Sequence, residues 1–236
     1  MTKRTYKQFC PAARSLDVIG ERWTMLIARD LMRGPQRYTD LRSGLPGMAS
    51  NLLAQRLNEM EAAGLLQREH RTDPSPRDVY VLTDRGRELR PVLLAMARFG
   101  LPFLDVTTHD QPLNIAMVRE ALVTMVLPEE LPETALTIDF TIDEGRYAMT
   151  IEAEAAAGQR RDATDRISVE DGGIDGSSVQ VEGSLAALLW IRRGDMTARE
   201  ALTQELVSVS GPSDNVAAAR RMLGFERTLS PPARQG

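Results

Sequence analysis

The sequence predicts an α+β chain in two parts: a helical N-terminal part carrying a β-hairpin, then a C-terminal part in which strands lie between helices. Three observations predict it. Apolar residues recur at helical spacing through several short segments before two brief strands appear near residues 65–83. Charge is divided unevenly, since residues 1–104 carry 17 Lys+Arg against 11 Asp+Glu while residues 105–236 carry 12 against 22. Between the halves lies 105–112 (DVTTHDQP), a short polar stretch without helical or strand periodicity. A length of 236 residues accommodates two ordinary domains. The basic half fits a polyanionic partner, and the acidic half does not.

Taken in order, residues 1–9 carry Lys3, Arg4 and Lys7 and fit a basic arm or, better, a frayed terminus. Cys10-Pro11 opens a helical pattern, because proline is tolerated in a first helical turn. Leu16, Ile19 and Trp23 continue one face, and Leu26, Ile27 and Leu31 extend it towards Gly34-Pro35. Gly20 marks a break, so a helix near 12–19 is followed by one near 22–33, with Trp23 as a core anchor.

Residues 38–65 (YTDLRSGLPGMASNLLAQRLNEMEAAGL) then read as two short helices joined at Leu45-Pro46-Gly47. In the first, Tyr38 and Leu41 point inward, leaving Thr39 and Arg42 outside and suited to phosphate contacts. In the second, Leu53, Leu57 and Met60 fall on one stripe. Asn51, Gln55 and Asn58 fall on the opposite face with Ala54 beside them. Asn and Gln can pair bidentately with adenine, and a small side chain can touch a thymine methyl. The same residues would equally make an ordinary polar helix surface. Gly64 fits a left-handed helix end.

Residues 65–70 (LLQREH) and 78–83 (DVYVLT) read as strands, and the intervening RTDPSPR makes them a projecting hairpin with Arg68, Arg71 and Arg77 on it. A helix over 87–104 follows, with Leu89, Val92, Leu93, Met96, Phe99 and Phe103 on a wide apolar face and Pro91 absorbed near its start. That face reads as part of a dimer interface, the alternative being packing on the first helix of the same chain.

With 42% hydrophobic and 26% charged residues the composition is that of a globular chain. No apolar run approaches the roughly 18 to 20 residues of a membrane span, and the N-terminus lacks an apolar signal core. The expected setting is therefore cytoplasmic, with no membrane partner. A single cysteine, Cys10, excludes an internal disulfide and a Cys-rich zinc site, and His70 and His109 are too far apart in sequence to suggest a metal site.

Helix, helix, helix, strand, wing, strand, helix is the winged-helix order. Residues from about 10 to 104 resemble the HxlR-type family of bacterial transcriptional regulators. The resemblance rests on Cys10-Pro11, Leu16 through Gly20 and Trp23, Gly34-Pro35, and Tyr38-Thr39-Asp40-Leu41. It continues through Leu53, Arg56-Leu57, Glu61, Gly64-Leu65, Tyr80, Leu82-Thr83 and Gly86. One departure is Ala49, where many relatives place a capping serine; Ser50 is then expected to cap the helix one residue later.

The resemblance implies a homodimer that sets two recognition helices into successive major grooves of double-stranded DNA, with the wings on backbone or minor groove and a pseudo-palindromic operator. Asn51 and Gln55 are then the leading base contacts, with Ser50, Ala54 and Asn58 behind them. Thr39, Arg42, Arg56, Arg71 and Arg77 are phosphate contacts, and Arg56 has the alternative of lying against its own domain. Some relatives use a cysteine at the position of Cys10 as a redox or electrophile sensor. The helix start and Lys7 or Arg14 would favour its thiolate, and the alternative is a small residue that simply opens the helix.

In the second half, a helix near 113–127 ends at Pro128, and 135–143 and 146–154 form a hairpin turning at Glu144-Gly145. Strands at 165–170 and 179–182, helices at 184–191 and 197–204, a strand at 206–209 and a helix at 215–223 complete an α+β domain. Residues 183–211, with 215–223 after them, resemble the sterol-carrier-protein-like fold through the apolar helix after a strand, Gly194-Asp195, Ala201 and Gly211. That resemblance implies a sheet with helices over one face enclosing an apolar space, lined by Phe140, Met149, Ile151, Leu188, Leu189, Trp190 and Leu202. Each of these residues also fits a plain core.

No carboxylate pair, nucleophile–base set or phosphate loop suggests an enzyme, and no cofactor or metal is expected. The expected domains are 1–105 (winged helix-turn-helix), 106–112 (linker), 113–230 (sterol-carrier-like, for ligand binding or oligomerisation) and 231–236 (tail). The expected function is that of a dimeric, sequence-specific DNA-binding transcriptional regulator whose second domain senses a small apolar or amphipathic effector. The alternatives are a carrier of an apolar small molecule, with the winged helix serving dimerisation, and a thiol-based regulator acting through Cys10.

Overall fold

The computed structural model describes residues 5–72, 76–104, 115–154 and 163–226. The chain divides into two compact units, Met1–Leu93 and Leu94–Gly236. The expected linker 106–112, the tail 231–236 and His109 lie outside the described residues.

The first unit begins with α1 (Pro11–Ile19) and α2 (Thr24–Met32), separated near Gly20 as the sequence implies. Trp23 precedes α2 in a left-handed conformation, φ +81°. α3 (Tyr38–Gly44) and α4 (Ser50–Ala62) follow, and then the antiparallel hairpin of β1 (Leu66–Arg71) and β2 (Arg77–Leu82). Gln36 adds a short third pairing: its N–H donates to the Tyr80 carbonyl and its own carbonyl accepts from the Tyr80 N–H. One core joins Ile27, Leu31, Leu41, Leu45, Leu53, Leu57, Met60, Leu66 and Tyr80. α5 (Asp84–Arg87) is capped by the Thr83 hydroxyl, which accepts from the Gly86 N–H. A Cβ at Gly86 would lie 1.9 Å from the Leu65 carbonyl oxygen, so only glycine lets this turn close against β1.

The helix expected over 87–104 is instead interrupted. α5 ends at Arg87, α6 runs Arg90–Gly100, and a 3₁₀ turn occupies Leu101–Phe103. Proline is the reason. Deep in a continuous helix, Pro91 would lack the hydrogen bond to residue 87 and its ring would strike that carbonyl. Restarting the helix at Arg90 puts Pro91 in a first turn, and Pro102 likewise begins the 3₁₀ turn.

In the second unit, α7 (Ile115–Met125) precedes a five-stranded sheet of β3 (Leu136–Ile142), β4 (Gly145–Ile151), β5 (Ile167–Asp171), β6 (Val179–Gly183) and β7 (Val207–Ser210). Its order is β5-β4-β3-β6-β7; β3 and β6 are parallel and the other pairs antiparallel. Register aligns Ile138 with Met149 and Val179, and Phe140 with Tyr147 and Val181. Those residues share one face and are buried there, while Thr137, Asp139, Thr141, Arg146 and Gln180 take the other. α8 (Leu185–Arg193), α9 (Ala198–Thr203) and α10 (Ser213–Met222) contribute Leu188, Ile191, Ala201 and Met222 to the same core as the apolar sheet face.

Among the boundaries that differ from the sequence reading, two have a visible local cause. The β3–β4 turn is Asp143-Glu144 rather than Glu144-Gly145, with Asp143 at φ +51° and Ile142 paired to Gly145. The strand expected from 165 begins at Ile167, because Ala163–Arg166 forms a 3₁₀ turn and Arg166 Nε donates to the Glu152 carbonyl.

Candidate nucleic-acid interface

The helix pair α3–α4 is fixed from below by apolar residues. Leu41, Leu45 and Met48 anchor the end of α3 and the turn, and Leu53, Leu57 and Met60 anchor α4, all buried. At about 1.5–3 kcal/mol for each fully buried large apolar side chain, this stripe determines which face of α4 remains outside. Asn51, Ala54, Gln55 and Asn58 are exposed on that outer face. The Tyr38 hydroxyl donates to the Ser50 carbonyl at 2.6 Å, which ties the start of α3 to the start of α4. Thr39 and Arg42, one turn apart on the same face of α3, are both exposed.

Ser50 does not cap α4. The N-cap is Ala49, and Ser50 is already the first helical residue, with no side-chain cap present. Part of that role passes to Asn51, whose Oδ1 accepts from the Leu52 N–H at 2.9 Å. Gln55 donates through Nε2 to Glu59 Oε1 at 2.8 Å. Both amides are exposed, so exchanging these local bonds for base edges requires only rotamer changes at the surface.

Arg56 takes the second of the two placements expected of it, against its own domain rather than turned out as a phosphate contact. Its side chain is 12% exposed and its guanidinium is engaged by Glu21 at 2.9 Å and by Glu59. It links α4 to the chain just before α2 and neutralises Glu59 on the outer face. This follows from its position between the amide face and the core stripe, where a long side chain reaches sideways across the domain.

On the wing, Arg71 and Arg77 are directly opposite each other. Like charges across a strand pair are unfavourable, and Glu69 offsets Arg71 at 3.1 Å. The Gln67 amide and then Arg71 hold the Glu69 carboxyl below its ordinary pKa. Arg68 instead lies over the Tyr80 ring, 5.2 Å from its centroid, and donates to the Tyr80 hydroxyl at 3.0 Å, so it stiffens the base of the wing. His70 and Asp78 pair across the hairpin at 2.9 Å.

Cys10 is half-buried at the extended N-cap of α1, with Pro11 behind it. Arg14, expected to support a thiolate there, is paired with Asp17 at 2.9 Å. Asp17 also accepts from the Tyr6 N–H and the Thr5 hydroxyl, each at 2.9 Å, and so fastens the segment before α1. These bonds, the Tyr6 N–H foremost, hold the Asp17 carboxyl below its ordinary pKa.

Of the residues expected to line an apolar space, Phe140, Met149 and Ile151 have no solvent exposure, and Leu188 and Leu189 are buried on α8. Trp190 packs at the margin of this core, and Leu202 is half-buried. All but Leu202 belong to one continuous cluster with the helices over the sheet, so packing accounts for their burial. Among the described residues no group of His, Cys, Asp or Glu is arranged to hold a metal, and no helix is long and apolar enough to cross a membrane.

Sequence reading missed Gln36 as a third edge of the wing sheet and the Tyr38 hydroxyl as the tie to α4. Gln36 stands alone between Pro35 and Arg37, too short a segment for alternation to register as a strand.

Residues 18–108 match the model of the HxlR-like helix-turn-helix family. The HTH-type transcriptional regulator sll1512 of Synechocystis is 36% identical over 96 residues, which are 41% of this chain and 71% of that protein. YvaP of Bacillus subtilis, also an HTH-type transcriptional regulator, is 30% identical over 44% of this chain and 96% of its own length. Among solved structures, the redox regulator HypR in its oxidized form is 33% identical, covering 41% of this chain and 99% of that one with a TM-score of 0.38. On the strength of the sequence relatives, this chain belongs to the HxlR-like helix-turn-helix family through residues 18–108.

Proposed function

We propose that the chain is a dimeric, sequence-specific DNA-binding transcriptional regulator without catalytic activity, acting in the cytoplasm. α4 enters the major groove and the wing lies on the sugar-phosphate backbone. The observation that carries the reading is the outer face of α4: three amides and an alanine, all exposed, on a helix whose opposite face is locked into the core. Family membership and the basic balance of residues 1–104 support it. Asn51 and Gln55 read bases, with Ala54 and Asn58 beside them. Thr39, Arg42, Arg71 and Arg77 meet phosphates, which position the protein without specifying sequence.

Dimerisation is assigned to α6 and the turn after it. Val92, Met96, Phe99 and Phe103 are 40%, 50%, 75% and 75% exposed, a row of large apolar side chains that a second copy would cover. The second unit is assigned the binding of a small apolar or amphipathic effector on the strength of its resemblance to sterol carriers. An effector acts on DNA binding only by preferring one arrangement of the dimer.

Fluorescence anisotropy against the duplex upstream of its own gene and a scrambled duplex, at two salt concentrations, tests the reading. Preference for the upstream duplex that survives the higher salt is expected. Weak and equal binding that disappears with salt would leave charge attraction alone, and would shift the weight to a carrier role for the second unit.

A further inference from the structure

The first unit buries one carboxylate in an adverse place. Asp30 sits in the last turn of α2 with its side chain 2% exposed, and a Cβ added to Gly44, the final residue of α3, would lie 2.9 Å from its Oδ2. The carboxylate therefore stands at the C-terminal ends of two helices, where the helix dipoles disfavour negative charge. Burial adds a cost that only close pairing offsets.

Pairing is supplied on one side alone. Oδ1 takes Arg29 Nη2 at 2.9 Å and Arg33 Nη2 at 3.0 Å, while Oδ2 faces Gly44 with no hydrogen-bond partner among the described residues. The two guanidiniums bring net positive charge to these helix ends, the sign that they favour. At Gly44 a bare backbone lets α3 approach until it meets the carboxylate.

We infer that Asp30, with Arg29 and Arg33, is a positioning residue for DNA reading. Its carboxylate sets how closely the end of α3 seats on α2. Through the short turn 45–49, anchored by Leu45 and Met48, it sets where α4 presents Asn51 and Gln55. The inference rests on the DNA-binding reading above.

Five proteins test it: wild type, Asp30→Ala, Gly44→Ala, the double variant, and Asp30→Asn as a form that keeps the side chain's shape. Each is measured for thermal stability and for anisotropy against the upstream and scrambled duplexes. Gly44→Ala should lower affinity for the upstream duplex roughly tenfold, the equivalent of one lost base-reading pair, and leave scrambled binding nearly unchanged. Removing the carboxylate as well should restore part of that loss, because the new methyl then meets nothing; the two effects should therefore be non-additive in binding and in Tm. Asp30→Asn should lose preference while remaining folded.

Additive effects, or an unchanged upstream-to-scrambled ratio in every folded variant, would overturn the inference and leave the functional reading standing. A wild type without preference would instead remove the functional reading and this inference with it, and non-additivity in Tm would then show Asp30 and Gly44 coupled for stability alone.

Discussion

The outer face of α4 and the apolar face of the C-terminal sheet both hold residues marked as ligand contacts, and the molecule uses them in opposite ways. Asn51, Ala54, Gln55 and Asn58 lie in solvent and take no part in the core. Phe140, Met149 and Ile151 have zero exposure and lie on β3 and β4, inside the sheet, opposite Tyr147, Ile138 and Leu136. On α4, the proposed base contacts and the core contacts are different side chains of one helix, so substitution can separate them. On the sheet the same atoms would have to serve both, and a substitution that removes a ligand contact also removes packing.

The largest expected effect tests the sheet side of this contrast. Phe140→Ala should destabilise the second unit by about 3–5 kcal/mol, read from chemical denaturation. A loss below about 1 kcal/mol would mean that the ring borders open space, since a well-packed ring costs more to remove.

Asn51→Ala should then show the opposite profile. Affinity for the upstream duplex should fall by about 1–3 kcal/mol, while stability falls by about 1 kcal/mol at most, the share of an N-cap that its bond to the Leu52 N–H supplies. Equal losses on upstream and scrambled DNA would remove Asn51 as a base reader. Arg42→Ala should be smaller and blind to sequence: all duplexes bind less tightly, and the slope of log affinity against log salt falls by about one unit.

The smallest effect concerns the segment before α1. Because the Asp17 carboxyl is held below its ordinary pKa by the Tyr6 N–H first, with Thr5 and Arg14 adding to it, its contribution is present above the ordinary carboxylate range. It is lost as pH falls through the lowered value. Amide exchange at Tyr6, corrected for intrinsic rates, should therefore accelerate in acid, and Asp17→Asn should abolish that pH dependence.

Much of this architecture was readable because local rules and tertiary packing agree. The stripe of Leu53, Leu57 and Met60 predicted which side of α4 turns outward, and the structure buries those three. Gly64 at φ +71° ends the helix region as its glycine suggested, and Thr197 caps α9 through a reciprocal pair with Glu200 at the expected start. The failures lie where two local signals competed. Ser50 had the chemistry of a cap, but Ala49 took the extended N-cap conformation, φ −68° and ψ 141°, and moved Ser50 inside the helix. Residues 87–104 had a continuous apolar face, yet two prolines divided it, since periodicity cannot supply a missing N–H.

By itself the sequence determined the succession of helices and strands, the boundaries set by glycine and proline, and the surface chemistry of α4. All of these depend on neighbours within a few residues. Only the tertiary structure decided that Arg56 pairs with Glu21, that Arg71 and Arg77 face each other across the wing, and that Asp30 lies against Gly44. Each of these joins residues from different turns or strands, and a long charged side chain has several partners within reach in sequence. Which partner it takes is settled by desolvation and geometry, and those exist only once the core has brought the elements together.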